Sequence, residues 1–187
     1  MLHQLSVKIS KHIVRHASNL EASQTDTIRY AIETLLGEIS KFFLLWFFFY
    51  KTNLSSPFIF SFLIFSCIRL VAGGFHFSNY YTCLFGSFIM YTTIIYLHQF
   101  VTLQSYGIFL LITTSLIILY IFTPIIPLNR YDYNKNSIPL KRFMTAILTL
   151  LLFVFALYAG QIKLFTLSLI VFSLQLLIGG IHYERLL

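Results

Sequence analysis

The sequence predicts an all-α integral membrane protein, with about six membrane-embedded helices behind an amphipathic N-terminal interfacial helix and both termini cytoplasmic. Three observations carry this. The 187-residue chain is 58% hydrophobic, holds 21 Phe and is 10% charged, and its mean hydropathy of +0.81 lies outside the range of soluble domains. Its apolar residues fall in long runs divided by short polar, Pro- or Gly-containing stretches. Its basic residues collect on alternate connections.

Residues 1 to 20 set Leu2, Leu5, Ile9, Ile13, His16 and Leu20 at helical spacing, with Lys8, Lys11, Arg15 and Ser18 elsewhere on the wheel. That is the pattern of a helix lying in the membrane interface. Residues 1–24, helix and hinge, precede a bundle over 25–187, the whole forming a single membrane domain. No continuous apolar core precedes the first basic residues, so a cleavable signal peptide is not expected. Thr25 or Asp26 is the expected cap of the next helix.

That helix, from about Thr27 to Tyr50, is apolar without interruption only from Phe42 onward. On a wheel, Glu33, Thr34, Gly37, Glu38, Ser40 and Lys41 fall within about 160 degrees, a face that calls for protein or water rather than lipid. Further apolar elements are expected over Phe58–Ile68, Leu84–Leu97, Tyr106–Phe122, Phe143–Tyr158 and Leu164–Ile181, with connections at 69–83 and 128–142 on one side. With the N-terminus inside, ten basic residues lie on inside segments (Lys8, Lys11, Arg15, Arg29, Arg69, Arg130, Lys135, Lys141, Arg142 and Arg185) and two, Lys51 and Lys163, lie outside. The net charge of +7 then reflects the anionic inner leaflet, and membrane lipid is an expected partner.

The stretch RLVAGGFHFSNYYTCLF, Arg69 to Phe85, holds a histidine and a cysteine seven residues apart. On one straight helix they would be about 10 Å apart along the axis, beyond the reach of a nucleophile and its base. Gly73 and Gly74 end one helix, and Ser78 or Asn79 is a good N-cap for another, so the chain can fold back between them. Cys83 would then sit near a helix start, where the partial positive charge and unpaired N–H groups suit a nucleophilic sulfur and an oxyanion. A packing cysteine and a headgroup-level histidine fit the same spacing.

No third catalytic group stands out. Glu33 or Glu38 could orient His76, yet Glu38 could equally pair with Lys41 at i, i+3. Asn79 could hold the imidazole, in competition with its capping role. Cys67 reads as a packing residue. The remaining histidines lack metal-ligand spacing, so neither a metal nor a cofactor is expected, and there is no nucleotide-binding glycine loop. The dispersed basic charge gives no reason to expect nucleic acid.

The pattern Arg69, Gly74, His76, Cys83, in a basic six-element membrane protein with a Pro-containing basic loop after the fourth element, resembles the accessory gene regulator B (AgrB) family. The resemblance implies a bacterial cell-membrane cysteine endopeptidase, multi-pass and often homodimeric, that processes the precursor of an autoinducing peptide in quorum sensing. It makes Cys83 the nucleophile and His76 the general base and acid, on the cytoplasmic side. The partner is a short precursor with an amphipathic start and an acidic tail, which is removed before a thiolactone or lactone ring closes. Arg130, Lys135, Lys141 and Arg142 are candidates to bind that tail, although Asp132 and several Asn interrupt the loop. A non-catalytic membrane protein or peptide exporter, with Glu33, Glu38 and Lys41 lining a path, is the competing reading.

Overall fold

The computed structural model describes residues 2–16, 25–74, 79–124 and 138–184. Among them are seven α-helices and no strand: α1 (Leu2–His16), α2 (Thr25–Lys51), α3 (Ser55–Ala72), α4 (Tyr80–Phe100), α5 (Ser105–Phe122), α6 (Ile138–Tyr158) and α7 (Ile162–Glu184). The last five are long and apolar enough to cross a membrane. The longer α2 carries Arg29, Glu33, Glu38 and Lys41 and does not meet that description. Helices satisfy every internal N–H and C=O within one segment, which hydrocarbon surroundings demand. The apolar composition and the all-helical architecture together make this a multi-pass membrane protein.

Local chemistry explains where the helices stop. α3 ends at Gly73, whose φ of 77° suits a residue without Cβ and whose N–H donates to the Arg69 carbonyl at 3.0 Å. α6 passes into α7 through a Schellman turn: Gly160 at φ 66° donates to the Leu157 carbonyl (3.1 Å) and Gln161 to that of Ala156 (2.9 Å).

Three boundaries differ from the sequence reading. Thr25 and Asp26 lie within α2 rather than ahead of it. Arg69 to Ala72 complete α3, and Tyr80 to Cys83 begin α4, so both ends of the expected 69–83 connection are helical. The expected loop 128–142 ends early, because α6 starts at Ile138 and carries Lys141 and Arg142 on its first turns. Pro139 permits this start: its missing N–H falls among the first four, which have no partner in the helix anyway. Leu20, the hinge, Asp132 and the 125–137 connection lie outside the described residues.

The chain forms two compact units, Met1–Thr52 and Asn53–Leu187. In the first, α1 packs on α2. The buried face of α1 holds Ser6 and Ser10, while Leu5 and Ile13 on its apolar stripe stay exposed. Lys8 and Lys11, on the other flank of that stripe, are exposed too. One face therefore docks, leaving an apolar strip edged by cations, as an interfacial helix requires.

On α2 the polarity is inverted relative to a soluble helix. Gly37 and Lys41 are buried and Glu33, Thr34, Glu38 and Ser40 half-buried, whereas Leu35, Phe43, Leu44, Phe47 and Tyr50 are exposed. Lys41 Nζ meets Glu38 Oε1 at 2.6 Å, and Arg29 lies 3.8 Å from Glu33.

In the second unit α7 is the central helix and touches each of the other four. Every residue from Leu164 to Leu169 is buried. Aromatic side chains lock its neighbours: Phe65 meets Phe172 edge-on at 4.9 Å, and Phe58 meets Tyr91 at 5.2 Å. Buried hydroxyls bond to their own backbone, Thr166 to Ile162 and Ser168 to Leu164, both at 2.8 Å, so they cost little in an apolar core.

Contacts at the helix ends set direction. Phe60 near the start of α3 stacks on Phe155 near the end of α6. Lys163 at the start of α7 donates to the His98 carbonyl near the end of α4. Arg142 near the start of α6 bonds to carbonyls at the end of α5. A Cβ on Gly180 of α7 would strike Phe122 at the end of α5. The ends of α3, α5 and α7 and the starts of α4 and α6 therefore share one end of the bundle.

Candidate active site

That shared end carries Cys83. Asn79 is the N-cap of α4, with extended φ and ψ of −104° and 132°, and its side chain accepts from the Tyr81 N–H at 3.2 Å. The Cys83 N–H donates to the Asn79 carbonyl at 3.0 Å, closing the first helical turn. Cys83 is therefore the fourth residue of α4. Its side chain is buried, at 9% exposure, while its neighbours Tyr81 and Thr82 are exposed. The Tyr81 amide is used by the cap and so is not an oxyanion donor.

On the other side of the break, the last turn of α3 presents Arg69. Its side chain folds over Gly74: a Cβ built there would stand 3.0 Å from Nε and 3.3 Å from Cγ. Gly74 thus admits the guanidinium against the backbone, and the two residues close the α3 end of the segment that carries His76. His76 itself lies outside the described residues.

The remaining candidates are distributed as follows. Lys141 and Arg142 stand at the Cys83 end of the bundle, on α6, and Arg130 and Lys135 lie outside the described residues. Arg142 is also a helix cap: Nε donates to the Thr123 carbonyl at 2.9 Å and Nη2 to that of Ile121 at 3.3 Å, and the guanidinium lies 5.4 Å from the centre of the Tyr120 ring. Sequence reasoning missed this capping role and Tyr120, because the partners are about twenty residues apart and separated by a loop. Glu33 and Glu38 belong to the first unit, where Arg29 and Lys41 pair with them. Cys67 is half-buried on α3. Among the described residues, no three His, Cys, Asp or Glu side chains gather where a metal ion could be held.

A buried thiol at a capped helix start, at the cationic end of a membrane bundle, is a chemically competent position for a nucleophile. The accessory gene regulator B family model matches residues 6–179 of this chain. The chain belongs to the AgrB family. The match runs through Arg69, Gly74, His76, Asn79 and Cys83 and takes in all but the ends of the helical architecture. A putative AgrB-like protein of Clostridium beijerinckii is 28% identical over 154 residues, covering 82% of this chain and 77% of that relative. No solved structure matches the chain. The AgrB assignment thus rests on sequence, and the helical arrangement is consistent with it.

Proposed function

We propose that this protein is a membrane cysteine endopeptidase that trims the precursor of an autoinducing peptide for bacterial quorum sensing. The observation that carries this is the position of Cys83, buried in the first turn of α4 behind the Asn79 cap, within a family match that spans it.

In this mechanism Cys83 Sγ attacks a precursor carbonyl and its proton passes to His76. The C–N bond then breaks, His76 protonates the departing amine, and the acidic tail leaves while the acyl group stays on Cys83 as a thioester. A thiol of the precursor attacks that thioester, closing a thiolactone and restoring the Cys83 thiol. Exchange of one thioester for another is close to neutral in energy, whereas water would waste the acyl group. Burial of Cys83 supports the reading, since keeping water from the acyl group limits hydrolysis.

The cations at this end, Arg69, Lys141 and Arg142, favour the cytoplasmic side by the positive-inside rule and favour an acidic tail. The test is co-expression with the cognate precursor, followed by mass spectrometry of the product. Cys83→Ser and His76→Ala should each abolish the shortened, thioester-linked product while leaving membrane insertion intact, and Cys67→Ser should leave it unchanged. Normal cleavage by either of the first two variants, or inactivation by the third alone, would overturn the assignment.

A further inference from the structure

Between α5 and α6 the bundle holds a groove of about 620 Å³, running from Ile112 to Tyr120 on one side and from Arg142 to Phe153 on the other. Two threonine hydroxyls line it, and both are spent on their own helix: Thr145 Oγ1 donates to the Lys141 carbonyl at 2.8 Å and Thr149 Oγ1 to that of Thr145 at 2.7 Å, while Tyr120, beside Arg142, brings the third hydroxyl. Among the described lining residues, the one charged group is Arg142, at the end shared with Cys83. A second, more polar hollow of about 500 Å³ meets the groove there, sharing Tyr120, Arg142 and Ala146 with it. The space is a hydrocarbon slot with a cationic mouth.

The shape and chemistry select the occupant. An extended peptide would bring N–H and C=O groups that nothing along the slot could satisfy, at a cost of several kcal/mol each in hydrocarbon. An acyl chain has no such groups. At the mouth, Nε and one N–H of Nη2 hold the α5 carbonyls, and a guanidinium has five N–H donors in all. Its charge and remaining donors complement a phosphodiester.

We propose that this groove is a binding site for an anionic glycerophospholipid, with one acyl chain between α5 and α6 and its phosphate at Arg142. The site shares Arg142 with the cationic end of the bundle, but lipid retention is read without the proposed reaction and does not depend on it. Lipid in this slot supplements the sparse packing of α5 against α6 and ties their junction to the anionic leaflet.

Native mass spectrometry of the full-length protein, released from detergent micelles doped with phosphatidylglycerol or phosphatidylcholine, tests this. The wild type should retain one phosphatidylglycerol, with a roughly fivefold preference over phosphatidylcholine, the factor worth one interfacial cation. Ala146→Phe fills the slot one helical turn from Arg142 while keeping its charge, and should lose both lipids. Arg142→Gln should retain both lipids without preference. The proposal is overturned if the wild type retains neither lipid or does not discriminate, if Ala146→Phe binds as wild type does, or if the groove is covered by a second copy, seen as a lipid-free dimer that Ala146→Phe dissociates. Should Arg142→Gln fail to fold for want of its α5 cap, the wild-type ratio and Ala146→Phe still decide.

Discussion

The Arg69 side chain lies over Gly74, with Nε 3.0 Å from the point where a Cβ would stand. The last turn of α3 is thereby joined to the chain that leaves it, one residue past the helix-ending Gly73. Gly74→Ala forces the guanidinium aside by a few tenths of an ångström or displaces the segment leading to His76. The expected result is a large loss of precursor cleavage, about tenfold or more, with global stability changed by no more than about 1 kcal/mol. Gly107→Ala is the control: nothing lies within 4 Å of its Cβ position, and a helical Gly to Ala change there should be neutral or stabilising by about 0.5–1 kcal/mol. Cleavage assays alongside thermal melts in detergent check both.

Asn79 caps α4 through its side chain, and a helix start that loses such a cap costs about 1 kcal/mol. Asn79→Ala should therefore lower stability by that amount and slow cleavage by loosening the turn that holds Cys83. Asn79→Ser, which caps as well, should restore both. If Asn79→Ser melts as wild type yet stays inactive, the amide is orienting the histidine rather than capping.

Gly180 faces Phe122, and a Cβ on it would strike the ring carbons Cδ1 and Cε1. An aromatic ring cannot give way as the tip of a flexible chain does, so Gly180→Ala should push α7 from α5 and destabilise the bundle by about 1–3 kcal/mol. Adding Phe122→Ala should recover part of the loss, measured as melting temperature of the double variant against each single one.

Lys163 donates to the His98 carbonyl at the end of the bundle opposite Cys83. Lys163→Met should cost about 1.5–3 kcal/mol, the range for a charged hydrogen bond, without slowing cleavage by the protein that remains folded. A selective loss of cleavage at unchanged stability would place function at the wrong end of the molecule.

Much of this was legible in the chain. The break between Gly73 and Asn79 could be read from residue types alone, because a positive φ favours Gly and a helix start favours a side-chain acceptor. The Glu38–Lys41 pair, three residues apart on one helix, was legible for the same local reason. The start of α6 was not: a proline in IPLKR reads as part of a loop until its place within the first turn is seen. The apolar stripe of α1 did not identify its buried face either, since Ser6 and Ser10 dock while Leu5 and Ile13 stay outside.

The local sequence thus settled which segments are helical, though not all of their ends, and which residues flank the break before Cys83, because those features depend on hydrogen bonds and φ, ψ preferences within a few residues. Packing alone decided that α7 is central, that Arg142 caps α5, and that α5 and α6 stand apart around a slot. α4, α5 and α7 are apolar on all sides, so no periodicity marks which face meets protein and which meets lipid. That choice is made by shape, where the ring of Phe122 meets Gly180 and the guanidinium of Arg142 reaches carbonyls some twenty residues away.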